Sequence, residues 1–327
     1  MIDLKKTFEA FTTKKIIVVG DVMIDTYLNG SVNRISPEAP VPIVQFQSKE
    51  HRLGGAANVA LNIKALGAQP FICSVIGKDE EGDLFQRLIA ENNLTDWGVL
   101  ASADRVTTVK TRIIGNNQQL LRIDNERTEP INSLMEFALI ERVKKVALKE
   151  KVDAIVFEDY NKGILTENVI QSIIEFAKEN EIITTVDPKK ENFFAYSNVT
   201  LFKPNLKEFK EGLGLHFEME EKEIFIDAVK ELQERISPEY TFITLSEYGV
   251  YMGSSEEHNF VPAHARVIAD VSGAGDTVIS VATLCLTCDL PAKQVAEISN
   301  LAGGLVCEQI GVVTVNKEQL MREVLAL

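Results

Sequence analysis

The sequence predicts an α/β protein with a mainly parallel central sheet flanked by helices and a small antiparallel β flap, or lid. Two observations carry the first part of that reading. Runs of branched apolar residues alternate with helix-length amphipathic segments along most of the 327 residues. These runs are continuous, not alternating, as strands buried on both faces require. A third observation predicts the flap: residues 41–47 and 107–124 read as strands with no helix-length segment inside either.

Taken in order, the clearest strands are 16–20, 71–77, 154–158, 182–187 and 241–245, with a short one near Thr200. Helical segments at 57–66, 134–149, 168–180 and 222–235 fall between them, the pattern of helices covering a parallel sheet. A strand-like 265–268 precedes an apolar helical run at 277–288. The flap segments are separated in sequence and do not fit within a parallel sheet. They are placed at its edge, over the strand ends, where they could cover a ligand. With no long linker and no internal repeat, residues 1–327 read as one domain, its lid built from about 22–48 and 106–125.

Composition narrows the partners. Lys plus Arg number 34 against 48 Asp plus Glu, a net charge of −14, which opposes non-specific attraction to nucleic acid or anionic lipid. An anionic ligand would then need a site with its own local cations, amide donors or metal. Cys73, Cys285, Cys288 and Cys307 are too few for a disulfide framework in a chain this long, which suits a reducing, cytoplasmic setting. Cys285 and Cys288 have CxxC spacing, but they sit in an apolar helical pattern and read as core. The stretch 1–15 is polar and amphipathic with no signal-peptide core, and no apolar run reaches the length of about 18 residues of a membrane span.

The strongest local signal is Asp270-Val-Ser-Gly-Ala-Gly-Asp276-Thr277. Gly273, Ala274 and Gly275 let successive amides point at one oxyanion, and the helix that follows adds about half a positive charge at its N-terminus. A carboxylate is out of place in a plain phosphate cradle. Asp276 therefore suggests a base that takes the acceptor hydroxyl's proton as a phosphoryl group arrives, although a helix cap would also be an Asp.

In Lys203-Pro-Asn205-Leu206-Lys207-Glu208, an amide and a carboxylate three residues apart could hold Mg²⁺ through water, or could form an ordinary capping box. Leu53-Gly54-Gly55-Ala56-Ala57-Asn58 offers close backbone approach and an Asn for a sugar hydroxyl, while helix packing explains its glycines equally well. Asp25 lies just past the first strand, where α/β folds bind ligands, and suits a pair of sugar hydroxyls or a turn. Lys110, Arg112, Arg122, Lys162 and Lys189 supply cations near expected strand ends.

Together these motifs resemble the ribokinase-like (PfkB) carbohydrate kinases, whose two signatures match residues 54–58 and 270–277 in the right order and separation. The resemblance runs from about 16 to 314. A narrower match in residues 34–42, 117–124, 159–163 and 246–249 resembles the D-glycero-β-D-manno-heptose 7-phosphate kinases of lipopolysaccharide inner-core synthesis. Many of those are fused to a nucleotidyltransferase domain with an HxGH motif, which this sequence lacks through Leu327. It is expected to be the free-standing kinase, served by a separate heptose 1-phosphate adenylyltransferase.

The resemblance implies Asp276 as catalytic base, residues 273–275 as anion hole, and Asn205 to Glu208 as the ATP and Mg²⁺ motif. It also implies Asp25, Gly54, Gly55 and Asn58 for the sugar, and Ser246 and Gly249 beside the nucleotide with Asn300 on a following helix; Lys110, Arg112 or Lys189 is expected to meet the sugar phosphate, with Arg122 a further substrate-side candidate. Glu158 stands where relatives more often carry Ser, and Lys203 where they carry a small polar residue. Both departures bear on substrate preference. A kinase of another sugar, sugar phosphate or nucleoside and a non-catalytic sugar sensor are the alternatives. A dinucleotide oxidoreductase is disfavoured because the first strand ends in Gly20-Asp21-Val22 without GxGxxG. Exposed flap edges suggest a homodimer.

Overall fold

A computed structural model of the chain describes residues 3–326; Met1 and Leu327, the ends of the expected domain, lie outside the described residues. α1 (Leu4–Ala10), capped by the Asp3 carboxylate, leads through a 3-10 turn into β1 (Lys15–Gly20). The chain runs out along β2 (Val22–Ile35) and back along β3 (Pro42–Gly55), then forms α2 (Ala56–Ala65), β4 (Gln69–Gly77), α3 (Glu80–Glu91) and β5 (Gly98–Ser102). A second hairpin, β6 (Val109–Gly115) and β7 (Gln118–Asn125), precedes α4 (Ser133–Glu150), β8 (Ala154–Glu158), α5 (Glu167–Glu179), β9 (Ile183–Asp187) and β10 (Leu201–Phe202). The remainder is α6 (Leu206–Leu213), α7 (Lys222–Ile236), β11 (Tyr240–Thr244), β12 (Val250–Gly253), β13 (His258–Val261), α8 (Ala274–Leu286), α9 (Ala292–Cys307) and α10 (Lys317–Val324).

The long apolar runs became strands where their continuity demanded it: β1, β4, β8, β9 and β11 are buried along nearly their whole length. Residues 265–268 correct the sequence reading. They form no strand, because Val267 is 85% exposed and Arg266 instead ties this loop to Glu308 and Glu323 beyond α9. α8 also begins earlier than expected, at Ala274, so the Gly-rich turn is itself the start of the helix.

The main sheet has nine strands in the order β13-β12-β11-β10-β9-β8-β1-β4-β5. It is parallel from β11 to β5, and β12 and β13 add an antiparallel edge. One hydrophobic core lies on the face covered by α2, α8 and α9, and contains Cys285; a second lies on the face covered by α4, α5 and α7. The chain steps from β1 to β4 and β5 on one side, and later fills the other side from β8 outward. The strand order therefore reverses between β1 and β8, and the crevice at such a reversal is where open α/β sheets bind ligands. Gly20 and Glu158 pair there so closely that a Cβ on Gly20 would stand 2.0 Å from the Glu158 carbonyl oxygen.

The flap is a separate four-stranded sheet, β3-β2-β6-β7. Its two hairpins are antiparallel, as expected, and they join through a parallel seam between β2 and β6 that the sequence reading did not anticipate. β3 continues to Gly55, past the expected boundary at 48, so the flap's return strand delivers the chain directly into α2. β2 is buried at its root and exposed at its tip, and every residue of β7 is exposed.

Candidate active site

The site is built around the start of α8. Gly273 adopts φ +80° as the N-cap, a conformation that favours glycine, and the first helical bond runs from the Thr277 amide to the Gly273 carbonyl. The amides of Gly275 and Asp276 lie ahead of that bond without intrahelical acceptors, at the positive end of the helix. The cradle needs Gly273, where the backbone is left-handed and a Cβ would stand 3.1 Å from Asn58 Nδ2; at Gly275 a Cβ would lie at ordinary contact distance, 3.4 Å from Asp187 Oδ2 and 3.8 Å from Lys203 Nζ. The opening above Gly275 is thus bordered by both members of a buried ion pair.

α8 is held against α2 by polar contacts within an apolar interface. Thr277 Oγ1 donates to Asn62 Oδ1 at 3.0 Å, Ser280 Oγ donates to the Val59 carbonyl at 3.2 Å, and Asn58 Nδ2 donates to Asp276 Oδ2 at 2.6 Å. The other carboxylate oxygen, Oδ1, accepts from the Tyr160 hydroxyl at 3.0 Å. Asp276 is buried, and burial pushes its carboxyl above the usual range; Asn58 pulls it back, Asp187 raises it further, and Tyr160 and Lys203 lower it. A carboxyl whose proton affinity is raised in this way is, when ionised, a stronger base than a surface carboxylate.

Charge is concentrated beneath it at the carboxyl ends of β8, β9 and β10. Lys203 Nζ lies 2.8 Å from Asp187 Oδ2, and both are buried. Lys189 Nζ lies 3.7 Å from Asp187 and also pairs with Glu208. Burial alone would raise Asp187, but Lys203 and Lys189 outweigh it and hold this carboxyl below its usual range. Glu158, opposite Asp187 in the β8–β9 register, is fully buried and neither of its oxygens has a hydrogen-bond partner. Burial, with Asp187 and Asp276 nearby, pushes its carboxyl well above the normal range, against the opposing pull of Lys203 and Lys189.

The loop after β8 is pinned from β1. Asp21 accepts from the amides of Tyr160 at 2.8 Å, Lys162 at 3.0 Å and Ile164 at 3.3 Å. Its own burial and neighbouring Asp159 nonetheless push its carboxyl up to about 6. Asp159 accepts in turn from the Asn161 amide at 2.8 Å and the Tyr196 hydroxyl at 2.8 Å.

Among the residues singled out from the sequence, the structure brings Asn58 onto Asp276. Asp25 is buried at the flap root and ion-paired with Arg112, whose guanidinium also lies 5.3 Å from the Tyr27 ring centroid. A Cβ on Gly54 would stand 2.3 Å from Asp25 Oδ2, and Gly55, at φ +59°, turns the chain into α2. Lys110 Nζ lies 5.7 Å from the Tyr160 ring centroid and makes no ion pair among the described residues. Lys162 is paired with Glu126 at 2.7 Å. Arg122 stays out at the flap, paired with Asp124 on its own strand.

On the nucleotide side, Asn205 and Glu208 form a complete capping box at the start of α6, with Leu206 and Lys207 in its first turn. Glu208 also receives Lys189, and its oxygens retain lone pairs that could meet a metal-bound water. Among the described residues no cluster of three or more metal-ligating side chains exists. Ser246 and Gly249, both at positive φ, form the tight turn after β11, and Asn300 Nδ2 donates to the Pro262 carbonyl at 2.8 Å. Sequence reasoning did not assign Tyr160, Asp187 or Asp21 as site residues; all three lie at or just past the ends of apolar strand runs, and Tyr160 also falls within the match at 159–163.

A buried carboxylate at a glycine-rich helix start, above the strand ends of a mainly parallel sheet, is the arrangement expected of a phosphoryl-transfer site, and the fold that carries it is ribokinase-like. The family described as pfkB family carbohydrate kinase matches residues 13–319, and the chain belongs to it: it is a carbohydrate kinase. The bifunctional protein HldE of Syntrophotalea carbinolica is 38% identical over 307 residues, covering 93% of this chain and 61% of its own length. The chain thus spans less than two thirds of the curated relatives it matches. Among solved structures, phosphofructokinase-2 from Escherichia coli in complex with potassium superposes with TM-score 0.78 at 19% identity over 96% of this chain and 98% of that one. Arabidopsis thaliana ribokinase complexed with ribose and ATP gives TM-score 0.72 at 15% identity, over 96% and 99%. At these identities the two structures support the fold.

Proposed function

We propose that the protein transfers the γ-phosphoryl group of ATP to the anomeric hydroxyl of D-glycero-β-D-manno-heptose 7-phosphate, giving the 1,7-bisphosphate and ADP. The observation that carries the reading is Asp276, a buried carboxylate at an amide-lined helix start. Asp276 takes the hydroxyl proton, and the freed oxygen bonds to the γ-phosphorus. As it does so the bond to the β,γ-bridging oxygen breaks, and that oxygen leaves with ADP. The Gly275 and Asp276 amides, with Lys203 beside them, oppose the charge that develops on the transferred group. Loss of one donor of this kind typically costs about 3 to 4 kcal/mol of barrier.

A divalent ion, which we take to be Mg²⁺, would neutralise the β- and γ-phosphate oxygens, held through water by Glu208 beside Asn205. Ser246 and Gly249 would border the base. Asp25, Gly54, Gly55 and Asn58 would line the sugar, and Lys110, a half-buried flap cation with no ion pair among the described residues, would meet its 7-phosphate.

The choice of acceptor rests on the resemblance of residues 34–42, 117–124, 159–163 and 246–249 to heptose 7-phosphate kinases, and on the HldE relatives. Buried Glu158 and Lys203 favour a second reading, in which a different sugar or sugar phosphate is the acceptor. A coupled ADP-release assay with MgATP separates them, comparing the heptose 7-phosphate with ribose, fructose, fructose 6-phosphate and adenosine. Preference for the heptose phosphate supports the first reading. Turnover of another acceptor supports the second, and turnover of none with nucleotide still bound supports a sugar sensor.

We place the enzyme in the cytoplasm, consistent with four free cysteines, and assign a separate adenylyltransferase to the next step. Phe46, Leu121 and Ile123 are exposed on the flap, and pairing through it would make a homodimer of the 36.3 kDa chain.

A further inference from the structure

Tyr160 has no part in the mechanism above, yet it meets Asp276 and lies near two of the candidate cations. Its hydroxyl donates to Asp276 Oδ1 at 3.0 Å. Its ring lies 5.7 Å from Lys110 Nζ, on flap strand β6, and 5.4 Å from Lys189 Nζ, just after β9. Its backbone amide is fixed by Asp21 at 2.8 Å, so the ring cannot drift with a loose loop. Burial and the Asp276 carboxylate hold the phenol well above its usual range, which keeps it a donor at any working pH.

We propose that Tyr160 is the positioning residue of the catalytic base: it clamps the Asp276 carboxylate from the side opposite Asn58 and links it, through Lys110, to the flap. This rests on the reading of Asp276 as base. A carboxylate held by Asn58 on Oδ2 and Tyr160 on Oδ1 has its plane fixed, and the remaining lone pairs are aimed at one place. With a single holder it could swing about its Cβ–Cγ bond. A cation at the face of a phenol draws electron density from the ring and strengthens its O–H as a donor. Movement of β6 that carries Lys110 toward or away from the ring would therefore change how firmly the base is held.

The groups facing Asp276 are Asn58 from α2, Tyr160 and Glu158 from the end of β8, Asp187 from β9 and Lys203 after β10. Of these, Tyr160 and Asn58 lower its proton affinity by hydrogen bonding. Removing the hydroxyl must then raise it, and the acid limb of the rate profile must move to higher pH.

The test compares wild type, Tyr160→Phe and Asp276→Asn across pH, with MgATP and whichever acceptor in the panel above wild type phosphorylates fastest. Thermal melting confirms that the Phe variant, which keeps the ring, is folded. The expected result is a fall in kcat of about tenfold or more for Tyr160→Phe, an acid limb shifted upward, and an unchanged KM for MgATP. An unshifted limb with normal kcat overturns the positioning role, and if Asp276→Asn is inactive in the same experiment the base reading survives. A faster Tyr160→Phe enzyme also overturns it, because the hydroxyl would then be obstructing the acceptor. If Asp276→Asn is itself near normal, the base reading fails.

Discussion

Lys203 and Asp187 lie 2.8 Å apart on the floor of the site with almost no solvent exposure, and Arg122 and Asp124 lie at the same separation on the flap in open water. Distance is equal; consequence is not. Exposed pairs are screened and are worth at most about 1 kcal/mol, whereas removing one partner of a buried pair strands a charge in a poor solvent. The floor therefore holds its groups in fixed positions, whereas the exposed pair on the flap is only weakly bound to its present geometry. Groups held in place beneath a separate covering sheet suit in-line transfer, since the reacting atoms must be aligned and water kept out.

The sharpest way to break this contrast is at the base. Asp276→Asn keeps the Asn58 and helix geometry but cannot take a proton, and turnover should fall by about 10² or more while MgATP affinity, measured by calorimetry, stays nearly constant. In wild type, activity should rise with pH through a limb lying above the ordinary carboxylate range, since burial raises Asp276 and only the ionised form is a base.

The flap supplies an internal control for the second prediction. Arg112 and Arg122 face each other across β6 and β7, but Arg112 neutralises buried Asp25 and Arg122 only exposed Asp124. Arg112→Ala should cost about 3 to 5 kcal/mol in chemical denaturation, and Arg122→Ala less than about 0.5 kcal/mol. Similar costs would mean that the flap root is as solvated as its tip.

The smallest effect sharpens the picture of the floor. Glu158 is raised well above its ordinary value of 4.5, so its contribution to stability is full below that value and declines as pH rises toward its folded-state value. Glu158→Gln mimics the protonated form. Its stability relative to wild type should increase between pH 5 and pH 9; a constant difference would show that Glu158 is already ionised and paired.

Most of the architecture was legible because β1, β4, β8, β9 and β11 are buried on both faces and so had to be continuous apolar runs. The same rule misled at 265–268, where Val267 and Ile268 are apolar but exposed, and nothing in the sequence distinguishes an apolar loop from an apolar strand. Asp276 and its glycines were visible because their chemistry is local to one turn. Tyr160 was not, since its meaning comes from a carboxylate 116 positions away. The parallel seam between β2 and β6 was hidden for a similar reason: hairpins announce themselves by their turns, and a parallel pair has none.

Asp21 accepts amides from residues 139 to 143 positions further along the chain. The loop after β8 therefore cannot be shaped until β1 and β8 have met, which requires closing a loop of that size, a slow event compared with forming any one helix. During refolding, helical signal should recover well before phosphoryl transfer does.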